Sequence, residues 1–258
     1  MNQTTNITLL LLTRNEEGRL TQNLKWLEKC LTINEIIVID DNSADKSKEI
    51  LKKFSSKNLN VKIFDRGLEG DFASQRNFGI SKSFNDWILW LDPDEIPSQQ
   101  LIIFLKNFKP DSPTQNYNFI RKDIFLGKNL KHGESANLKI TRLFNKNYGT
   151  FVGKVHEVWK STKRVEDTNL IIHHYSHQTL SDFWQKINFY STIRAQELFH
   201  TNQKVNLTQI IFYPIAKFLN DYFLKLSILD GTAGIIFSLT MSFYSFLVRA
   251  KLWHLYQQ

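Results

Sequence analysis

Ile7 to Leu12 is an unbroken apolar run, with the length and character of a strand covered on both faces. Leu20, Leu24, Leu27 and Leu31 follow at spacings of four, three and four, the period of an amphipathic helix. Glu35–Ile39 (EIIVI) is a second, β-branched run that stops abruptly at Asp40-Asp41-Asn42-Ser43. A polar helix with Ile50, Leu51 and Phe54 on one face leads to a third short strand at Val61–Phe64. Asp71 is placed to cap a helix reaching about Phe84, and Trp87–Leu91 (WILWL) is a fourth strand. Strands alternating with helices, and apolar through both faces, predict an α/β fold built on a doubly wound, mostly parallel sheet.

The rhythm changes after the first hundred residues. From Tyr117 to Tyr175 the chain reads as strand-rich and irregular, with strands at Asn118–Phe125, Lys139–Phe144 and Leu170–His174. A long amphipathic helix follows over roughly Leu180 to Phe199, and Ile210 to Tyr256 is strongly apolar and aromatic. No internal repeat or low-complexity linker interrupts the sequence.

Ligands of doubly wound sheets lie beyond the carboxyl ends of the strands. Three of the four predicted strands end in polar clusters: Thr13-Arg14-Asn15-Glu16-Glu17, Asp40-Asp41-Asn42-Ser43 and Asp92-Pro93-Asp94-Glu95. Residues two apart on an extended backbone share a side, so Asp92 and Asp94 can face one ion. Carboxylate oxygens suit Mg²⁺ or Mn²⁺, although a turn ahead of a helix capped at Ser98 would also use this sequence. One aspartate would suffice to cap the helix after the second strand, with Ser43 or Asp45 as further candidates, and Asp40 and Asp41 exceed that need. Either could read a base or a ribose hydroxyl, with Arg14, Asn15 and Glu16 as the opposite wall. Arg76, in Gln75-Arg76-Asn77, could neutralise a diphosphate or brace the metal carboxylates.

Composition narrows the class. The 258 residues carry a formal net charge of +8, which favours an anionic partner, and 13% are aromatic, a loading suited to ligand grooves and membrane interfaces. No basic helix or stacking motif supports nucleic acid as that partner. Cys30 is the single cysteine, so neither an intramolecular disulfide nor a cysteine zinc cage can form, as expected of a cytosolic chain. The first apolar run is too short for an export signal and follows no basic residue.

Thr-Arg-Asn-Glu-Glu at 13–17, Val-Ile-Asp-Asp-Asn-Ser at 38–43, Gln-Arg-Asn at 75–77 and Leu-Asp-Pro-Asp-Glu at 91–95 together resemble family 2 glycosyltransferases of the GT-A fold. Arg142-Leu143-Phe144, Gly153-Lys154-Val155-His156-Glu157, His174-Tyr175-Ser176, Leu229–Gly234 and Ala250–Trp253 resemble the branch of bacterial lipopolysaccharide inner-core β-glucosyltransferases. The resemblance implies inverting transfer from a nucleotide-sugar, usually a UDP-sugar, to a lipopolysaccharide-core or other lipid-linked glycan. It also implies a donor site of Thr13, Arg14, Asn15, Glu16, Asp40, Asp41, Arg76 and Asp92. Asp94 would be the main metal contact beside Asp92, with His174 as a further ligand. Asn42 departs from a frequent family glycine, but asparagine also tolerates a left-handed backbone. The expected parts are a nucleotide-sugar half at 1–110, an acceptor half at 111–178 and a helical extension at 179–258.

Inversion requires a base across the cleft from the leaving group. Glu157 is the first candidate and Glu134, in His132-Gly133-Glu134, the second; a surface carboxylate paired with Lys154 or Lys160 would equally explain Glu157. Arg142, His156 and Trp159 are expected to meet the acceptor. Gly231 to Val248 carries no charge but is broken by serines and threonine, which suits an interfacial segment better than a clean span. With Lys217 and Lys225 nearby, the extension is expected to lie on the inner face of the cytoplasmic membrane; packing onto the catalytic domain or in a dimer is the alternative. A polyprenyl-phosphate glycosyltransferase shares the donor pocket without needing a strong base. A catalytically silent nucleotide- or glycan-binding protein would be expected to break the D-x-D, and Asp92 and Asp94 are intact.

Overall fold

The computed structural model describes residues 5–110, 116–134, 136, 138–154, 157–177 and 179–258. The first apolar run forms β1 (Ile7–Thr13), buried at every position but Leu12. It is followed by α1 (Glu17–Asn23), β2 (Ile33–Asp40), α2 (Ser47–Lys52), β3 (Asn60–Asp65), α3 (Phe72–Lys82) and β4 (Trp87–Leu91). Next come β5 (Glu95–Pro97), α4 (Gln99–Lys106), β6 (Asn116–Phe125), β7 (Lys128–Asn129), β8 (Leu138–Asn145), β9 (Gly149–Val152), β10 (Val158–Ser161) and β11 (Val165–His177). Three long helices end the chain: α5 (Leu180–His200), α6 (Leu207–Leu219) and α7 (Thr232–Leu255).

The chain divides into two compact units, Met1–Arg121 with Lys139–His174, and Lys122–Leu138 with Tyr175–Gln258. In the first, the strand order is β3-β2-β1-β4-β8-β6-β11-β5. β3, β2, β1 and β4 are mutually parallel, whereas β8 runs antiparallel to β4 and β5 antiparallel to β11. The alternation of β4 divides its side chains between two cores. Trp87, Leu89 and Leu91 pack with Leu101, Leu105 and Phe108 of the α4 side, and Ile88 and Trp90 pack with Phe144, Phe151 and Trp159.

Two details differ from the sequence pattern. The leucine periodicity predicts one helix to Leu31, but α1 ends at Asn23, a 3₁₀ turn occupies Lys25–Lys29, and Leu31 is 73% exposed. The 3₁₀ turn buries Trp26 and Leu27 at once and delivers the chain to β2, leaving no inward position for Leu31. Neither Ser43 nor Asp45 caps α2, whose first residue is Ser47. Ser43 instead serves Asp40, and Asp45 accepts the backbone N–H groups of Glu17 and Ser47. Asp71 and Ser98 do cap α3 and α4, each side chain accepting an N–H three residues on.

In the second unit the end of β6 pairs with β7, and Phe125, Leu130, Phe183, Ile187, Ala233 and Phe237 form a core. A π-helical turn (Asn220–Leu224) and a 3₁₀ turn (Ser227–Asp230) link α6 to α7. Among the described residues one helix, Ser227–Leu255, is long and apolar enough to cross a membrane.

Away from the polar strand ends, Glu35 ties three elements together. It accepts hydrogen bonds from the Thr8 hydroxyl, the Phe84 N–H and the Lys62 ammonium, at 2.7, 2.8 and 2.8 Å. Burial pushes its pKa up, but the bonds from Lys62, Thr8 and Phe84 and the Lys62 charge outweigh burial, so the net direction is below the ordinary 4.5. A depressed native pKa contributes stability above the unfolded value and loses it as pH falls through the native one. Glu35→Gln should therefore destabilise the fold by about 1–3 kcal/mol at neutral pH. In urea titrations the gap from wild type should close as pH falls below 4.5.

Candidate active site

Register brings the polar strand ends to one level. Thr13 of β1 lies opposite Asp40 of β2, Asp40 opposite Asp65 of β3, and Leu11 opposite Leu91 of β4, so Asp92 follows one step beyond the ladder. The loops after β1 and β2 interlock. Asp40 is fully buried and accepts the Thr13 hydroxyl at 2.9 Å and the Ser43 N–H and hydroxyl at 2.7 and 2.6 Å. Asn15 accepts the Ala44 N–H, and both Asn15 and Asn42 take the left-handed backbone at φ 54° that asparagine tolerates. Asp41 is the partly exposed member of the pair: one oxygen accepts from Arg14 at 2.8 Å and the other from the Leu68 N–H at 2.8 Å. Asp40 thus organises the loop, while Asp41 and the 61%-exposed Arg14 face outward.

Trp90 is the platform of the β4 end. Its indole N–H donates to the Thr141 carbonyl at 2.8 Å, and the guanidinium carbons of Arg142 and Arg76 lie 3.4 and 3.7 Å from its ring centre. The two cations knit a chain of carboxylates. Arg76 Nε donates to Glu157 Oε1 at 2.7 Å and its Nη2 lies 3.6 Å from Asp92 Oδ1. Arg142 Nη2 donates to Asp92 Oδ2 at 3.2 Å and, closer still, to Glu95 Oε1. Glu95 closes the turn by accepting the Asp92 N–H at 3.0 Å. Arg142 and Glu95 are each 1% exposed.

Burial acts on the two carboxylates with different outcomes. For Asp92 burial raises the pKa, but Arg142 and then Arg76 overcome it, and the net direction is down. For Glu95 burial dominates over Arg142, with Asp92 repulsion adding to it, and the net direction is up. Arg142 lowers both, and the outcomes part because Asp92 has Arg76 as a second cation whereas burial prevails at Glu95.

Asp94 belongs to a second, parallel chain. Its Oδ1 lies 3.5 Å from His174 Nε2 and its Oδ2 lies 3.6 Å from Arg19 Nη1, while Arg19 Nε is 3.7 Å from Glu16. β11 brings His174 here, because it pairs with Glu95 in the antiparallel ladder to β5. Among the described residues no group of three or more His, Cys, Asp and Glu side chains converges on one point. Asp94 and His174 nevertheless present an oxygen and a nitrogen donor to a common space, with Asp92 alongside. That donor chemistry fits Mn²⁺ or Mg²⁺ bound through few protein ligands and completed by substrate phosphates.

The remaining expected residues fall elsewhere. Trp159 is a core residue: its ring stacks on Phe144 at 3.9 Å and its N–H donates to Asn116 at 3.2 Å. Gly149 permits this, since a Cβ there would press into the Trp159 ring. Arg142 points inward under the carboxylates rather than onto an open wall. Glu134 belongs to the second unit, where it is ion-paired with Lys217 and its N–H donates to Asp221. His156 lies outside the described residues. The structure sets Arg19, Trp90 and Glu95 beside the expected residues, and the sequence reading gives none of the three a role. Two signals pointed to them: Arg19 stands one turn beyond Glu16, and Trp90 shares the alternating face of β4 with Asp92.

A parallel half-sheet with acidic clusters at its carboxyl ends, continued by an antiparallel half, is the GT-A fold. The chain belongs to glycosyl transferase family 2, whose family model matches residues 8–156. It is an enzyme that uses a nucleotide-sugar donor. An uncharacterised glycosyltransferase of Rickettsia prowazekii is 26% identical over 95% of this chain and 86% of its own length. The lipopolysaccharide core biosynthesis glycosyltransferase LpsC of Rhizobium meliloti is 23% identical over 93% of this chain and 88% of its own. Among solved structures, the Pyrobaculum calidifontis mannosyltransferase PcManGT, in complex with GDP-Man and Mn²⁺, matches 97% of this chain and 87% of its own, with TM-score 0.57 and 11% identity. S. aureus TarS 1-349 matches 98% and 92%, with TM-score 0.51 and 14% identity.

Removing one partner of a buried ion pair strands the other. Arg142→Ala should cost about 3–5 kcal/mol in denaturant unfolding. Adding Glu95→Gln should restore part of that loss, giving a non-additive double-mutant cycle.

Proposed function

We propose that this enzyme inverts the anomeric centre as it transfers a hexose, taken as glucose from a UDP-sugar, to a lipopolysaccharide-core or other lipid-linked glycan. The reaction would take place at the inner face of the cytoplasmic membrane. The observation that carries the reading is the Glu157–Arg76–Asp92 chain, which ties a candidate base to the first carboxylate of the D-x-D through one guanidinium. The relative LpsC supports a lipopolysaccharide-core acceptor by its name.

In this reading Asp41 and Arg14 flank the nucleoside at the ends of β1 and β2. Asp94, Asp92 and His174 would hold the divalent ion, which when bound supplies positive charge against the leaving diphosphate. Glu157 takes the proton of the acceptor hydroxyl as that oxygen attacks the anomeric carbon. Arg76 holds its Oε1 and so orients the carboxylate that is to receive the proton. Arg142 and Trp90 act as positioning residues through Asp92 and Arg76. Glu134, committed to Lys217, is the weaker candidate for the base.

Glu157→Gln preserves shape and the Arg76 contact but removes the basic oxygen. It should lower turnover about 10²- to 10⁴-fold with donor affinity retained, measured by transfer kinetics and UDP-sugar calorimetry. A wild-type rate moves the base elsewhere. Asp94→Ala should abolish metal-dependent donor hydrolysis in a folded protein, and unchanged turnover would refute the metal assignment.

A further inference from the structure

α7 meets the length and hydropathy of a membrane-crossing helix, and within the second unit one side of it is packed while Leu239, Phe243, Phe246 and Trp253 stay exposed. Ala233, Phe237, Ser238, Val248 and Leu252 are buried along it, and a Cβ at Gly234 would strike the Ser227 carbonyl. Its polar side chains are also used inside the unit: Ser238 donates to Asp221, Ser242 to the Pro214 carbonyl at 2.7 Å, and Lys251 to Asn188 and Ser191 of α5.

α6 is uncovered along its whole length. None of its residues is buried, although it is strongly apolar. Leu207, Ile211, Ile215 and Leu219 recur every fourth residue and form one exposed row, with Phe212 beside them. The row continues into the π-helical turn, where Leu224 is 79% exposed. A helix facing water turns its polar side outward, and this one turns its apolar side outward.

The charge around the row has one sign. From Val205 to Gln258 the only carboxylate side chains are Asp221 and Asp230, and both are turned inward. Asp221 accepts from Ser238 and from the Glu134 N–H, and Asp230 from His132 and the Lys131 N–H. Lys204 and Lys225 are exposed. The unit as a whole carries ten Lys and Arg against six Asp and Glu, a net of +4. Lys217, in contrast, is taken up by Glu134 and faces no headgroup.

We propose that the outward face of α6, continued through the π-helical turn to Leu229, is the surface that lies in an anionic bilayer leaflet, while α7 does not cross the bilayer but packs against α5 and α6. An apolar row bordered by lysines and free of exposed carboxylates fits an interfacial helix on acidic headgroups. The inference deepens the membrane-face reading above and rests on it, but it is independent of the donor site.

The test is flotation of the full-length protein with vesicles of equimolar phosphatidylethanolamine and phosphatidylglycerol, against pure phosphatidylcholine, with circular dichroism and sedimentation of each variant. Wild type should bind the anionic vesicles and be partly released by salt. Ile215→Glu and Leu224→Glu, both at exposed positions, should each weaken partitioning at least about tenfold while donor hydrolysis is unchanged. Lys225→Glu should weaken it less and remove much of the salt dependence. Wild type that fails to bind anionic vesicles overturns both this proposal and the membrane-face reading. Wild type that binds with the glutamate variants bound equally well overturns the α6 assignment alone. Dimers that dissociate on Ile215→Glu would identify a second copy as the occupant and overturn it too.

Discussion

Two guanidinium groups resting on one indole hold the acidic edge of the sheet together. Asp92, Glu95 and Glu157 crowd the end of β4, and such a concentration of carboxylate would repel itself apart without cations between the members. Arg76 and Arg142 supply them, and Trp90 supplies the flat surface that orients both. Arginine suits the task because its planar fork can bond two carboxylates while its face stays on a ring; a lysine would provide charge without direction. The geometry of the D-x-D turn is therefore a property of three distant segments, α3, β4 and β8, rather than of the tetrapeptide that carries it.

The parallel half of the fold was legible in the sequence because each of its parts is a local pattern. An apolar run followed by Asp40-Asp41 or by Asp92-Pro93-Asp94 announces both a buried strand and its carboxyl end, and the β1–β2–β4 register puts those ends side by side. The second layer of the site was not legible, since it depends on pairing across the sheet. Nothing near His174 in the chain tells that β11 lies against β5 and sets this histidine opposite Glu95. Trp159 reads as an aromatic beside a candidate base, and only the stack on Phe144 shows it to be core. Asp40 and Asp41 look equivalent in sequence, but the chain direction beyond β2 buries one and turns the other out.

The same limit applied to the C-terminal helices. By length and hydropathy together α7 qualifies as a membrane-crossing helix and the 13-residue α6 does not, and neither measure asks which neighbour covers a residue. In the folded unit, small and hydroxylated side chains let α7 pack closely against α5 and α6, and the bulky aliphatic residues of α6 are left facing out. Composition thus registered that the region is unusually apolar, and packing decided which helix presents that character to the surroundings.

The late arrival of Arg142 has a consequence for how the gene can be divided. The four motifs that carry the family resemblance lie before residue 96, so a shortened protein ending near residue 110 would keep all four, although the family model itself extends to residue 156. It would lack the β8 guanidinium that pairs with Glu95 and the β11 strand that covers it, beside a D-x-D whose two aspartates had also lost Arg142 and His174. Such a fragment would be recognisable by its motifs yet unable to assemble its own acidic turn, and a split version of this enzyme would have to be cut after β11.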